Sequence, residues 1–445
     1  MTSERAKEVV NAILKREDSD KQAAWARAHE LWEARQASPW AAEGLAFLIK
    51  AGAFERDTAL RAAAGLLTDY REDPAVMGRL GQAFESLCDI RYLNAAPPDD
   101  PVLLQIAESL RQLASRDWEL EDEIKLLHGL DTAARLLGRG WDEIAERCAL
   151  RLVELKPDDW TAHFDLGLFY KTRGRFAEGV AANLAASKHG GASEDPVIWN
   201  LGICATGAGD AECALRVWKS IDQNIELGLF GLPEGGYHSV KVRLAELPLA
   251  ERNADCDDPG LEETVWIERL SPCHGIIRSA LFQDLGVDFG DVVLFDGAPI
   301  TFQEYGGQRV AVFPHLATLV RPGYRILRFG GTQAEPKQIA ELSHQLPADT
   351  TLYAHTEQFI MLCRACWEGG KDHKHDADRP EHRVVSGKLC IPPNIDPADL
   401  MEAIDRAVVE SGAVQLFIPE LCALVGDTER AEVEGRRLAM IQENK

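Results

Sequence analysis

From about residue 5 to residue 250, apolar side chains recur every three or four positions, broken by short turns. That period predicts helices almost throughout this half of the chain. The pattern is clearest over residues 158–221, where two consecutive stretches follow one template. In the first, Leu166-Gly167 is followed by Tyr170, then Gly174-Arg175-Phe176, Gly179 and Ala186. In the second, Leu201-Gly202 is followed by Ala205, then Gly209-Asp210-Ala211, Ala214 and Ile221. Gly167, Gly179 and Ala214 let paired helices approach closely, while Leu166, Tyr170, Leu201 and Trp218 fill the space between them. Gly174 and Gly209 suit the sharp turn inside each pair, where the chain leaves a helix in a left-handed conformation.

Earlier copies are visible upstream. Pro39, Pro74 and Pro196 each stand where a helix can begin, since proline is harmless in a first turn. Leu45 pairs with Ile49 and Leu80-Gly81 with Phe84, and the spacing from Leu45 to Leu80 equals that from Leu166 to Leu201. A looser copy lies around Leu130 and Ala134, with residues 141–155 as its second helix. Before it, residues 94–101 (Asn-Ala-Ala-Pro-Pro-Asp-Asp-Pro) read as a stiff interruption, followed by an extra helix over residues 102–113. The expected array is four recognisable repeats and one insertion.

The residues of the 158–221 stretch resemble the tetratricopeptide repeat, whose signature is Leu-Gly-x-x-Tyr on one helix and a small residue plus Ala on the next. The resemblance implies a solenoid of stacked hairpins with a concave groove lined by the first helix of each repeat. It also implies which side chains face that groove: Glu43, Phe47 and Lys50, then Gln82 and Glu85, then Phe164, Leu168, Lys171 and Thr172, then Trp199, Ile203 and Thr206. Trp199 is the expected anchor, because a large aromatic gains most from being desolvated by a partner. The expected function is a non-enzymatic adaptor or scaffold that binds a protein or peptide.

Beyond residue 230 the pattern changes. Residues 232–236 end the repeats, and an amphipathic segment at 240–250 is expected to cap them. Residues 253–260 (Asn-Ala-Asp-Cys-Asp-Asp-Pro-Gly) are acidic and turn-rich, and read as a linker. From Thr264 the period is two, with strands expected over 265–270, 275–278, 291–295 and 309–313 and hairpin turns at Asp296-Gly297 and Gly306-Gly307. Residues 271–294 are faintly similar to biotinyl and lipoyl carrier domains, which carry a modifiable lysine on a hairpin tip. Here the tip is Asp296-Gly297-Ala298-Pro299, without a lysine, so the likeness implies a fold and not the carrier function. From Tyr324 strands and helices alternate: strands at 324–329, 351–354, 383–391 and 414–418, helices at 336–346, 397–410 and 429–441. Two β-α-β units in series fit a ferredoxin-like α+β layer. The expected domains are residues 1–252, helical; 264–322, a small β-rich module; and 323–445, α+β.

Charge narrows the partners. The 445 residues carry 48 Lys+Arg against 72 Asp+Glu, a formal net charge of −24. That field repels phosphate backbones and anionic membranes, so nucleic-acid and membrane partners are disfavoured. No export signal begins the chain and no apolar run would cross a bilayer, so a cytoplasmic protein is expected, its 10 cysteines reduced.

Candidate chemistry is sparse. Cys363 and Cys366 are followed by His373 and His375, and two thiolates with two imidazoles could close a tetrahedral zinc site. The histidines are only two apart, unlike the usual spacing, so no cofactor is expected and zinc is the alternative. Cys273-His274 invites a thiolate–imidazole reading, but adjacent residues on a strand point to opposite faces. His355-Thr356-Glu357 earns no role, and Gly330-Gly331 reads as a turn without a G-x-G-x-x-G fingerprint. No catalytic residue is assigned. The alternative function is an enzyme or zinc-dependent module in the C-terminal region, with the repeats as a regulatory or oligomerising arm.

Overall fold

The computed structural model describes residues 39–52, 54–88, 100–361, 364–367 and 381–443. They fall into two compact units. The first holds the chain up to Thr264 together with Leu270–Cys273 and Leu294–Ala317; the second holds Val265–Arg269, His274–Val293 and Thr318–Lys445.

The described helices of the first unit form five antiparallel hairpins. They pair α1 (Pro39–Lys50) with α2 (Arg56–Tyr70), α3 and α4 (Pro74–Gln82, Phe84–Leu87) with α5 (Pro101–Ala114), and α6 (Leu120–Leu136) with α7 (Asp142–Leu155). Then come α8 (Trp160–Thr172) with α9 (Phe176–Lys188), and α10 (Asp195–Gly207) with α11 (Ala211–Ser220). The segment read as an inserted helix is therefore α5, the second helix of the second repeat. Asp100-Pro101, the end of the stretch read as an interruption, forms its N-terminus: the Asp100 carboxylate accepts from the Val102 N–H at 2.9 Å, and Pro101 occupies the first turn. Residues 94–99 lie outside the described residues. The same device starts α3, where Asp73 caps Ala75 and Val76 at 3.0 Å each ahead of Pro74.

Small residues set the helix spacing. A Cβ added at Gly78 would stand 2.5 Å from the Lys125 carbonyl oxygen, and one at Gly129 would stand 2.5 Å from that of Gly78, so α3 and α6 touch backbone to backbone. Gly167 faces the Asn183 side chain, Gly179 the Cys204 sulfur, and Gly202 the buried Trp218 ring. The turn glycines Gly174 and Gly209 have φ of 69° and 71°, the left-handed region that their positions require.

After the short ribbon of β1 (Ile225–Leu227) and β2 (Pro233–Gly235), the 240–250 segment departs from expectation. Rather than a cap it is β3 (Val240–Ala245) followed by a short 3-10 turn, because Val242 and Leu244 alternate inward and β3 pairs in parallel with β8 (Gln308–Val320). With β4 (Glu262–Arg269), β5 (His274–Ile277), β6 (Val292–Phe295) and β7 (Thr301–Tyr305) it makes a six-stranded sheet of order β3-β4-β5-β6-β8-β7. The extra β3–β8 pairing closes five of these strands into a barrel-like ring. The 253–260 stretch is mostly exposed but tied down within the first unit, with Pro259 buried: the Leu247 N–H donates to the Pro259 carbonyl at 3.0 Å, and the Arg139 N–H to the Asp257 carboxylate at 2.8 Å.

The second unit contains an antiparallel sheet of order β10-β11-β9-β12, from β9 (Arg325–Gln333), β10 (Thr351–Met361), β11 (Glu381–Ile391) and β12 (Val414–Phe417). Its helices are α12 (Gln338–Glu341), α13 (Arg364–Trp367), α14 (Pro397–Ser411), α15 (Pro419–Leu424) and α16 (Thr428–Glu443). The pair Gly330-Gly331 lies inside β9 rather than in a turn. Its lack of side chains admits Leu438 and Ile441 over one residue and Ile339 over the other. No described helix is long and apolar enough to cross a membrane.

Candidate partner-binding groove

The expected groove positions fall on α1, on α3 and α4, on α8 and on α10, in four of the five hairpins. The structure sorts those positions into two groups.

At the first two repeats they meet in one polar net on an aromatic base. Lys50 Nζ donates to Gln82 Oε1 at 3.0 Å, and Arg79 donates to the same oxygen at 3.1 Å. The Arg79 guanidinium stands 3.8 Å from the Glu43 carboxylate and 5.8 Å over the Phe47 ring. Glu43, Phe47, Lys50 and Gln82 are all half-buried, and Glu85 is exposed. Arg79, which no repeat offset singles out, is the residue that joins them.

The third repeat was too loose for its groove residues to be named from the sequence. The offsets used elsewhere, applied to Leu130, would have given His128, Thr132 and Arg135. Arg135 turns back to Asp131, donating at 3.0 Å to a carboxylate that is 2% exposed. Asp131 stands one place after the repeat leucine, where the fourth and fifth repeats have glycine, and burial pushes its carboxyl up to about 6. Burial likewise raises Asp165 and lowers His128, which also feels the cations Lys156 and Lys50. Mixed charge is thus packed along α6 and α8 at His128, Asp131, Arg135 and Asp165.

At the fourth and fifth repeats the positions are largely occupied from within. Phe164 is half-buried, its ring 6.3 Å from Trp160, and Leu168 is half-buried. Lys171 is buried, and its Nζ lies 2.8 Å from the Asp296 carboxylate, itself buried. Thr172 ends α8: its hydroxyl donates to the Phe169 carbonyl at 3.0 Å, and its own carbonyl accepts from Arg139 at 2.8 Å. Trp199 packs edge-on to Trp218 at 5.3 Å, and a Cβ on Gly297 would stand 3.0 Å from it. Ile203 and Thr206 are fully buried, and the Thr206 hydroxyl donates to the Gly202 carbonyl at 2.8 Å.

Of the remaining candidates, Cys363, His373 and His375 lie outside the described residues, and of Cys366 only the helical backbone is described. Among the described residues no cluster of His, Cys, Asp or Glu has the arrangement of a metal site. Burial pushes the Cys88, Cys148, Cys204 and Cys422 thiols up to about 12, so they remain neutral packing groups. The Cys273 N–H donates to the Ser271 hydroxyl at 3.2 Å, closing a Ser-Pro turn. The imidazole of His274 is fully buried and held near 4, which keeps it uncharged. His355 lies 2.8 Å through Nε2 from the Ala280 carbonyl and stacks on Phe282 at 4.2 Å.

No protein-family model and no curated protein sequence matches this chain. Several solved structures are similar to it at low identity. MamA 41-end from Desulfovibrio magneticus RS-1 is 16% identical, over 38% of this chain and 84% of its own length, with a TM-score of 0.29. A structure of MamA MSR-1 is 19% identical, over 42% and 95%, with a TM-score of 0.31. YrrB, titled a TPR protein with an unusual peptide-binding site, is 18% identical, over 45% and 92%, with a TM-score of 0.30. Five stacked helical hairpins, crossing on small residues and with left-handed turn glycines at Gly174 and Gly209, give the helical half of this chain the layout expected of a tetratricopeptide-type array.

Proposed function

We propose that this protein is an adaptor that holds a protein or peptide segment on the concave face of α1, α3, α6 and the start of α8. The observation that carries the reading is the net of Lys50, Gln82, Arg79 and Glu43 over Phe47. It offers donors, an acceptor and an aromatic surface side by side, all reachable from the groove. An apolar floor with a few placed polar groups is what a specific peptide site needs. The net charge of −24 favours a partner that is neither a nucleic acid nor an anionic membrane. The cysteines among the described residues form no disulfide, which suits a reducing, cytoplasmic setting.

The C-terminal part follows as a proposal of its own. Residues 1–252 serve as the binding array, 264–322 as a β-rich module and 323–445 as an α+β region. The β9-α12-β10-β11-α14-β12 sequence, with the short α13 between β10 and β11 and strand order β10-β11-β9-β12, supports the ferredoxin-like reading of that last region.

The test is affinity purification of the intact chain beside the triple variant Phe47→Asp, Lys50→Glu, Gln82→Arg. A partner retained by the wild type and lost by a variant of unchanged melting temperature supports the groove. An unchanged set of bound proteins overturns it.

A further inference from the structure

The tip of the hairpin-like turn after β6, residues 296–298, belongs to the same compact unit as the repeats. Three observations place it on α8 and α10. The Asp296 carboxylate meets Lys171 Nζ at 2.8 Å, with both side chains 5% exposed. Gly297 lies against Trp199 and Ile203, where a Cβ would stand 3.0 Å and 3.6 Å away. The turn is preformed: the second Asp296 oxygen accepts from the Ala298 N–H at 3.2 Å, and the Asp296 N–H donates to the Pro314 carbonyl at 3.2 Å. Lys171, Trp199 and Ile203 are three of the positions at which a repeat array would receive a foreign segment.

We propose that the C-terminal end of the concave face is an acid-recognising site whose resident ligand is the chain's own 296–298 turn. Lys171 supplies the cation for one carboxylate, and Trp199 with Ile203 forms a wall that admits only a small residue after the acid. A buried amine without its carboxylate would be left uncompensated, so the site is stable only when filled. The turn acts as an autoinhibitory plug. A foreign segment with an acidic residue followed by glycine reaches the end of α8 and α10 only by displacing it, and other partners are confined to α1, α3, α6 and the start of α8. The confinement rests on the groove reading above; the occupancy does not, and the experiment reads occupancy alone.

The measurement is amine acetylation of the intact, native chain, followed residue by residue by mass spectrometry. Lys188 and Lys219, both exposed on the same array, serve as controls. In the wild type, Lys171 is expected to react at least about tenfold more slowly than the controls. Gly297→Leu forces the turn off Trp199 without touching the lysine, and should bring Lys171 close to the control rate. A synthetic peptide copying residues 292–302 should then restore protection, whereas the same peptide with Asn in place of Asp296 should not. Asp296→Asn in the full chain is the milder variant, should Gly297→Leu fail to fold, and is expected to speed labelling as well. Lys171 reacting like the controls in the wild type would overturn the proposal. So would protection that persists in both variants, or equal protection by the acidic and amide peptides.

Discussion

Gly167 shows how little space a repeat core leaves. A Cβ there would collide with the Asn183 side chain, which is fully buried and already donates from Nδ2 to the Gly179 carbonyl at 2.8 Å. Gly167→Leu, or Ala214→Leu at a position with no exposure, is expected to cost roughly 1–3 kcal/mol or more, since overpacking forces off-rotamer side chains and backbone shifts. Thermal melting of the full-length variants checks this, and unchanged midpoints would mean that the repeat has been misplaced. His274 makes a prediction of opposite character. Burial holds its pKa near 4, below the ordinary value of 6.5, so the unfolded chain takes up the proton first. Its contribution to stability is present above 6.5 and is lost as pH falls from there toward about 4. His274→Asn should flatten the acid side of the stability profile relative to wild type. Parallel profiles in urea titrations over that pH window would refute the assignment.

At the scale of elements, the caps and glycines were readable because they act locally, while the contacts between elements were not. Pro74 with Asp73 announces α3, and the identical Asp100-Pro101 pair announces α5, although the prolines before it suggested an interruption. The expected groove offsets repeat along the sequence, yet Arg79, which joins Gln82 and Glu43, lies outside them, and Arg135 turns back to a buried Asp131. Arg139 has no local signature at all. Its guanidinium donates to the Thr172 carbonyl at 2.8 Å and to the Leu249 carbonyl, and stands 3.7 Å from Asp257, so one side chain ties α8 and the 249–257 segment to the turn before α7. Arg139→Ala should destabilise the chain by roughly 1–3 kcal/mol, since it leaves the Thr172 and Leu249 carbonyls without their donor while the Asp142 and Asp257 carboxylates stay partly exposed. Arg139→Lys should recover less than half of that, because a single ammonium cannot reproduce the planar fork. Equal midpoints for the two variants in chemical denaturation would contradict this account.

At the scale of the molecule, the 253–260 stretch reads in sequence as a place to cut, yet the first unit also takes residues from beyond it, Leu270–Cys273 and Leu294–Ala317. A fragment of residues 39–250 would lack the turn that covers Lys171 and Trp199. It is expected to melt well below the intact chain, with helical circular dichroism lost first on heating. A fragment as stable as the whole would show that the later strands add nothing to the array. The sequence by itself determined the helical half, its repeat length and its change to strands, because period, capping and turn glycines are local properties of the backbone. It also set the chemistry at each groove position. Only the tertiary structure decided which of those positions stay open. Phe47, Lys50 and Gln82 stay half-buried among the described residues, while Lys171 is closed by Asp296, a residue far along the chain. A buried ion pair between distant segments leaves no periodic trace, since each partner looks like an ordinary surface charge until the fold brings them within 2.8 Å.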